Sequence, residues 1–411
     1  MTPPPNKLVI ASWSLYDSAG TIFSMNVISL YFALWVTVDK GGEDILYSAA
    51  LSGSMLAVAL TAPMFGAISD QTGRRRAPLI ILTLICVTST ASIGKTDHLF
   101  TGLLLFVVAN YCYQSAIVFY NAMLPSVARG SSVGMVSGYG AALGYLGAVA
   151  GLMMVRPFVN AGGRPAAFVP TALMFLIFAL PCFFFVKDPD PKPLRQIRIG
   201  EAFRTLKQTV INTPRYGVFL KFILIYFLTV DAINTVIAFM AIYANKVIGF
   251  DDGQITRFLI SSTFAAMVGS YVIGWLVKKR GTVWSYWLVL WLWFSALLIA
   301  AVSQTETMFW VVGPLAGIGM GGVWVVSRAI LVELAPPEKV GEFFGIYGLA
   351  GKMASILGPL LWGSIVWLLE DTQTLKYRAA VSSLLLIIGI TLLLFRSLAK
   401  QIPQNNPSQQ T

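Results

Sequence analysis

Gly66-Ala-Ile-Ser-Asp70-Gln-Thr-Gly73-Arg74-Arg75-Arg76 is a short polar interruption between two apolar runs. Gly274-Trp-Leu-Val-Lys278-Lys-Arg-Gly281 returns 208 residues later at the same internal spacing, with a lysine in the acidic position. Glycines that turn the chain and a run of cations held in water suit a tight hairpin between two membrane helices. Its repetition predicts two related halves.

Composition supports a membrane protein. Hydrophobic residues are 56% of the 411 and charged residues 11%, where soluble domains carry about a quarter charged. A spanning helix needs about 20 apolar residues. Twelve runs qualify: 9–38, 45–68, 77–94, 99–124, 133–155, 166–186, 216–246, 254–277, 282–303, 307–334, 341–368 and 379–396. The first is too long for a cleaved signal peptide and reads as a retained helix. The expected class is an all-α membrane protein of twelve transmembrane helices in two six-helix, pseudo-symmetric bundles.

The net charge of +11 suggests nucleic acid in a soluble chain, but positive-inside bias accounts for it here. With the N-terminus in the cytoplasm, 21 of 29 Lys/Arg fall at cytoplasmic ends and 8 outside. Both termini are then cytoplasmic, in a bacterial inner (plasma) membrane. The expected organisation is a bundle over 1–186, a linker over 187–215, a bundle over 216–400 and a disordered tail over 401–411. The linker opens Lys187-Asp-Pro-Asp-Pro-Lys-Pro, which prevents a helix there. Ile199 to Asn212 then reads as an amphipathic helix suited to the anionic inner membrane face.

The halves repeat in detail. At an offset of 207, Gly134, Gly138, Gly144 and Gly151 map onto Gly341, Gly345, Gly351 and Gly358. Near the start of each half the offset is 214, pairing Asp17 and Thr21 with Asp231 and Thr235. The small-xxx-small glycine pairs of the fifth run let helices approach closely.

Enzyme chemistry has little support. Cys86, Cys112 and Cys182 lie inside apolar runs, and His98, the only histidine, is in a short external loop. No metal-ligand spacing is present, and no cofactor is expected. Gly130-Ser-Ser132-Val-Gly134 matches the text of a nucleophile elbow without its preceding strand. Gly317-Ile-Gly319-Met-Gly321-Gly322 has dinucleotide-type spacing but opens no βαβ unit. No nucleotide-binding P-loop is present.

Polar side chains inside apolar runs usually face a cavity. Ser14, Asp17, Ser18 and Thr21 form one stripe on the first run, and Asp231, Asn234 and Thr235 repeat it on the seventh. The fourth carries Asn110, Tyr113, Gln114, Tyr120 and Asn121; the tenth carries Trp324 and Arg328. Asp17 lies ~12 Å into its span and Asp231 nearer mid-membrane. Each carboxylate either handles protons or a substrate ammonium, or serves as a structural hydrogen-bond acceptor. Lys352 is a buried cation that receives a substrate carboxylate or pairs with one of these acids. Arg328 either faces the cavity or snorkels.

The hairpin at Gly66, Asp70, Gly73, Arg74 and Arg75 resembles the loop signature of the major facilitator superfamily. That resemblance implies the fold of the same name, alternating access, and a central cavity lined by the first, fourth, seventh and tenth spans. It also implies that Asp70 locks the cytoplasmic ends in the outward-facing state. More specifically, the chain resembles the autophagy-related vacuolar amino-acid effluxer-like family, also called the unknown major facilitator family. The residues carrying this are Ser14 to Ala19, Phe119 to Pro125, Asp231 to Val236, Ser327-Arg328, Glu342 to Tyr347, Gly351-Lys352 and Gly358-Pro359. Ser18 and Gly20 depart from the family's Trp and Asn. The resemblance implies amino-acid export by a secondary, proton-coupled transporter. Its partners would be a small polar solute, a coupling proton and the lipid bilayer, and it would act as a monomer without nucleic acid. A proton-coupled drug or organic-solute exporter is the alternative, and a non-transporting membrane sensor on the same fold a more distant one.

Overall fold

The computed structural model describes residues 7–127, 132–188, 217–335 and 340–402. Residues 189–216, which include the linker's amphipathic segment, and most of the tail lie outside them. Twelve helices among the described residues are long and apolar enough to cross a membrane. Six lie in a unit over Met1–Thr205 and six in a unit over Leu206–Thr411. No strand occurs among the described residues.

In the first unit the spans are Lys7–Asp39, Asp44–Ala62, Arg76–Ile93, Leu99–Leu124, Ala142–Gly162 and Arg164–Phe185. The first packs on the fifth and sixth, the fourth on the second and third, and the third on the sixth. In the second unit they are Gly217–Ile248, Asp252–Arg280, Thr282–Val302, Glu306–Leu334, Gly345–Leu368 and Leu375–Leu398. The same pairing recurs: the seventh on the eleventh and twelfth, the tenth on the eighth and ninth, the ninth on the twelfth. The predicted pseudo-symmetry is therefore a property of the packing.

The opening motif sits where the second helix, Asp44–Thr72, ends. Gly73 closes it at φ 68°, a conformation that suits glycine, and the third span begins at Arg76. The turn is fastened from three sides. Arg75 donates through Nε to Ser69 Oγ at 3.1 Å and through Nη1 to the Ala122 carbonyl of the fourth span. The backbone amides of Arg75 and Arg76 both donate to one oxygen of Asp188 at 2.9 Å. Asp188, just past the sixth span, thus satisfies amides at the start of the third that would otherwise lack partners.

Several spans depart from regular α-helix. The first runs as a π-helix over Ser24–Tyr31 and Trp35–Asp39, the seventh over Ala244–Ile248. The eleventh is interrupted: one helix covers Val340–Met353 and another Leu357–Leu368. Pro359 explains the interruption. It has no N–H for the Ser355 carbonyl, and its ring would clash with that carbonyl in a continuous helix. Tight bonds from Ser355 N to Lys352 O (3.3 Å) and Ile356 N to Met353 O (3.1 Å) fill the gap.

Candidate substrate site

In the second unit the predicted residues converge on the break in the eleventh span. Asp231 is 3% exposed. Its Oδ1 accepts from the Gly358 amide at 2.8 Å, in the first turn of the helix after the break. A carboxylate accepting from a helix N-terminus is a charge-assisted bond aligned with the helix dipole. Asn234, one turn further along the seventh span, donates through Nδ2 to Ser355 Oγ inside the break at 2.7 Å. Thr235 returns its hydroxyl to the Asp231 carbonyl at 2.7 Å. Lys352 stands in the last turn before the break and is half-buried. It has no hydrogen-bond or ion-pair partner among the described residues. The sequence left open a pairing of Lys352 with Asp231; the ion pairs among the described residues do not include it.

In the first unit the matching residues lie between the first, fourth and fifth spans, and the fifth is unbroken. A Cβ added to Gly140 would lie 2.5 Å from Asp17 Oδ2, so that carboxylate lies directly against the fifth span. Tyr113 and Tyr120 stand beside it. Thr21 donates to the Gly144 carbonyl at 2.7 Å. Trp13 and Tyr16 both stack with Tyr120, at 4.4 and 4.9 Å between ring centres. One packing equivalence runs at an offset of 214: Thr21 meets Gly144 as Thr235 meets Gly358. The 207 offset read from the glycines pairs Gly144 with Gly351, which instead meets Tyr226.

Other predicted residues stand apart from these two groups. Asn110 is fully buried and donates to Ser54 Oγ of the second span at 2.7 Å. Gln114 and Trp324 are half-buried, Asn121 and Arg328 exposed. Beside Arg328, Ser327 and the Tyr347 hydroxyl lie 2.8 Å apart, and Tyr347 stacks on Tyr226 at 4.0 Å. Of the loop residues, Gly73 and Arg75 hold the turn, Arg74 is exposed and Gly66 has open space around its Cα. The Asp70 side chain lies outside the described residues. Sequence reasoning missed Ser355, which carries no signal of its own, and Asp188, which sat in a stretch read only as linker.

A discontinuous helix at membrane depth, with a carboxylate capping one half and an amine at the end of the other, is an ion-handling arrangement of solute transporters. Twelve spans in two like-paired units give the chain the major facilitator fold of integral membrane transporters. Solved structures agree on that fold. A bacterial homologue of the human lysosomal transporter Spinster superposes with a TM-score of 0.77 at 13% identity, covering 98% of each chain. The nucleoside transporter NupG superposes at 0.80 and 10% identity, over 95% of this chain and 100% of that one. The chain belongs to the family described as "Vacuole effluxer Atg22 like", which it matches over residues 44–134 and 129–406. It is 26% identical to the uncharacterized MFS-type transporter YxiO of Bacillus subtilis, over 93% of this chain and 94% of that one. It is 22% identical to autophagy-related protein 22 of Kluyveromyces lactis, over 72% and 67% respectively.

Proposed function

We propose that the protein is a gradient-driven, proton-coupled transporter of amino acids, and that Lys352 receives the substrate carboxylate beside the break in the eleventh span. The observation that carries this reading is the Lys352 amine, half-buried at a helix break without a partner among the described residues. A charge held in hydrocarbon without a counterion costs several kcal/mol. A substrate carboxylate supplies that counterion during each cycle and removes it on release. The first half-helix ends beside Lys352, and the negative end of its dipole favours an ammonium group. The class of substrate is the one implied by resemblance to the effluxer family.

Asp231 holds the break through the Gly358 amide, and Asp17, beside Tyr113 and Tyr120 at the fifth span, is the candidate for the coupling proton. The basic helix ends face the cytoplasm in this reading, and the working unit is one chain. Purified protein in liposomes, offered a panel of amino acids and organic acids with and without a pH gradient, tests it. Accumulation of amino acids only under the gradient is the expected result. Uptake of apolar cations in place of amino acids would contradict it.

A further inference from the structure

The second hairpin keeps the glycines of the first and places Lys278 where the first has Asp70. The eighth helix, Asp252–Arg280, ends on Lys278, Lys279 and Arg280, all exposed. None has a carboxylate within ion-pair distance among the described residues. Glu333, at the end of the tenth span, takes a hydrogen bond from Thr282 at 2.7 Å instead. Two tryptophans flank the cations. Lys279 Nζ lies 4.7 Å from the centre of the Trp275 ring, and the Arg280 guanidinium 5.3 Å from Trp284. Gly281, at φ 83°, makes the turn that brings the ninth span's Trp284 beside the end of the eighth.

An apolar track leads away from this cluster. Trp275, Tyr271, Val268 and Phe264 are 53%, 81%, 43% and 61% exposed. Their spacing places them on one helix face over about 16 Å. Cations at a helix C-terminus are favoured by its dipole, and their stems snorkel. Those effects account for the basic residues alone. They do not account for two indole rings at the polar boundary continuing into an exposed aromatic stripe.

We infer that this hairpin docks an anionic phospholipid. The phosphate sits against Lys279 and Arg280 with Lys278 beside them, the glycerol level lies at Trp275 and Trp284, and an acyl chain follows the track to Phe264. Charge complementarity selects the headgroup, and the track selects a lipid over a free anion.

Native mass spectrometry of the detergent-solubilised full chain tests this, with equimolar phosphatidylglycerol and phosphatidylcholine of matched acyl chains. The unmodified protein should carry phosphatidylglycerol over phosphatidylcholine by at least about five-fold. The triple variant Lys278→Gln, Lys279→Gln, Arg280→Gln should fall near parity. Trp275→Leu should lower the bound lipid at least about two-fold while keeping the headgroup preference. Lys221→Gln, an exposed cation on the seventh span, should change nothing. Added salt should weaken the preference, and excess inorganic phosphate should not displace the lipid. Equal binding of both lipids by the unmodified protein, an unchanged preference in the triple variant, or displacement by free phosphate would each overturn the inference.

Discussion

At Asp231 the structure adds a contact that the sequence could not supply. The residue was legible as an in-membrane acid on a polar stripe, but its role depended on what it touches. It touches the Gly358 amide, which is free to be capped because Pro359 ends helical continuity one residue later. Gly358-Pro359 was present in the sequence as a break signal. Its significance depended on a third element, the seventh span, being placed against it. Asparagine keeps the accepting oxygen, so Asp231→Asn should retain the fold with only a small drop in thermal stability. Asp231→Leu leaves a buried N–H unpaired and should cost about 1–3 kcal/mol. Thermal unfolding of the two variants in detergent checks this; equal behaviour would remove the capping role. Asp17→Asn carries the complementary expectation for coupling. It should abolish accumulation driven by a pH gradient while exchange at fixed pH persists, and full pH-driven uptake would return the proton to another group.

Between elements, glycine sets how closely helices approach. A Cβ on Gly147 would stand 2.7 Å from both Cα and Cβ of Ser18, so a methyl group there must push the fifth span off the first. Gly147→Ala should therefore cost about 1–3 kcal/mol as overpacking. Gly53 has nothing within 4 Å of the same position, and Gly53→Ala should be neutral or mildly stabilising through helix propensity. Side-by-side melting curves separate the two, and a loss at Gly53 equal to that at Gly147 would refute the packing explanation. Helix existence was legible because hydropathy over about 20 residues is a strong signal. Helix ends were less so: the second helix runs on to Thr72 and the eighth to Arg280, past the apolar residues that mark them in sequence. Polar last turns cost nothing once they reach water or a cap. Asp188 shows the same limit, since its role rests on two amides 112 and 113 residues away. Asp188→Ala should loosen the start of the third span by about 1 kcal/mol, seen as faster hydrogen exchange at Arg75 and Arg76.

Over the whole molecule, the repeat was the most legible property, and each unit reproduces the other's helix pairing. The halves nevertheless differ where chemistry is expected. One has an unbroken fifth span against Asp17, the other a broken eleventh span fastened by Asp231 and Asn234 with Lys352 beside the gap. Sequence alignment of the halves carried the equivalence of the two acids and concealed this difference, because a helix break changes geometry without changing glycine spacing. An asymmetric pair of this kind suits one half that holds the substrate and one that handles the proton. Asp70→Asn tests the gating role that the loop signature implies: it should leave insertion intact and slow turnover, and normal flux in that variant would remove that role.

The most direct measurement is flux through reconstituted Lys352→Met protein, compared with the unmodified protein, for an amino acid, its amide and its decarboxylated amine, after thermal unfolding has shown the variant folded. The account predicts that loss of the Lys352 amine abolishes transport of the amino acid far more than that of the other two. Equal loss for all three, or undiminished amino-acid flux, would contradict it.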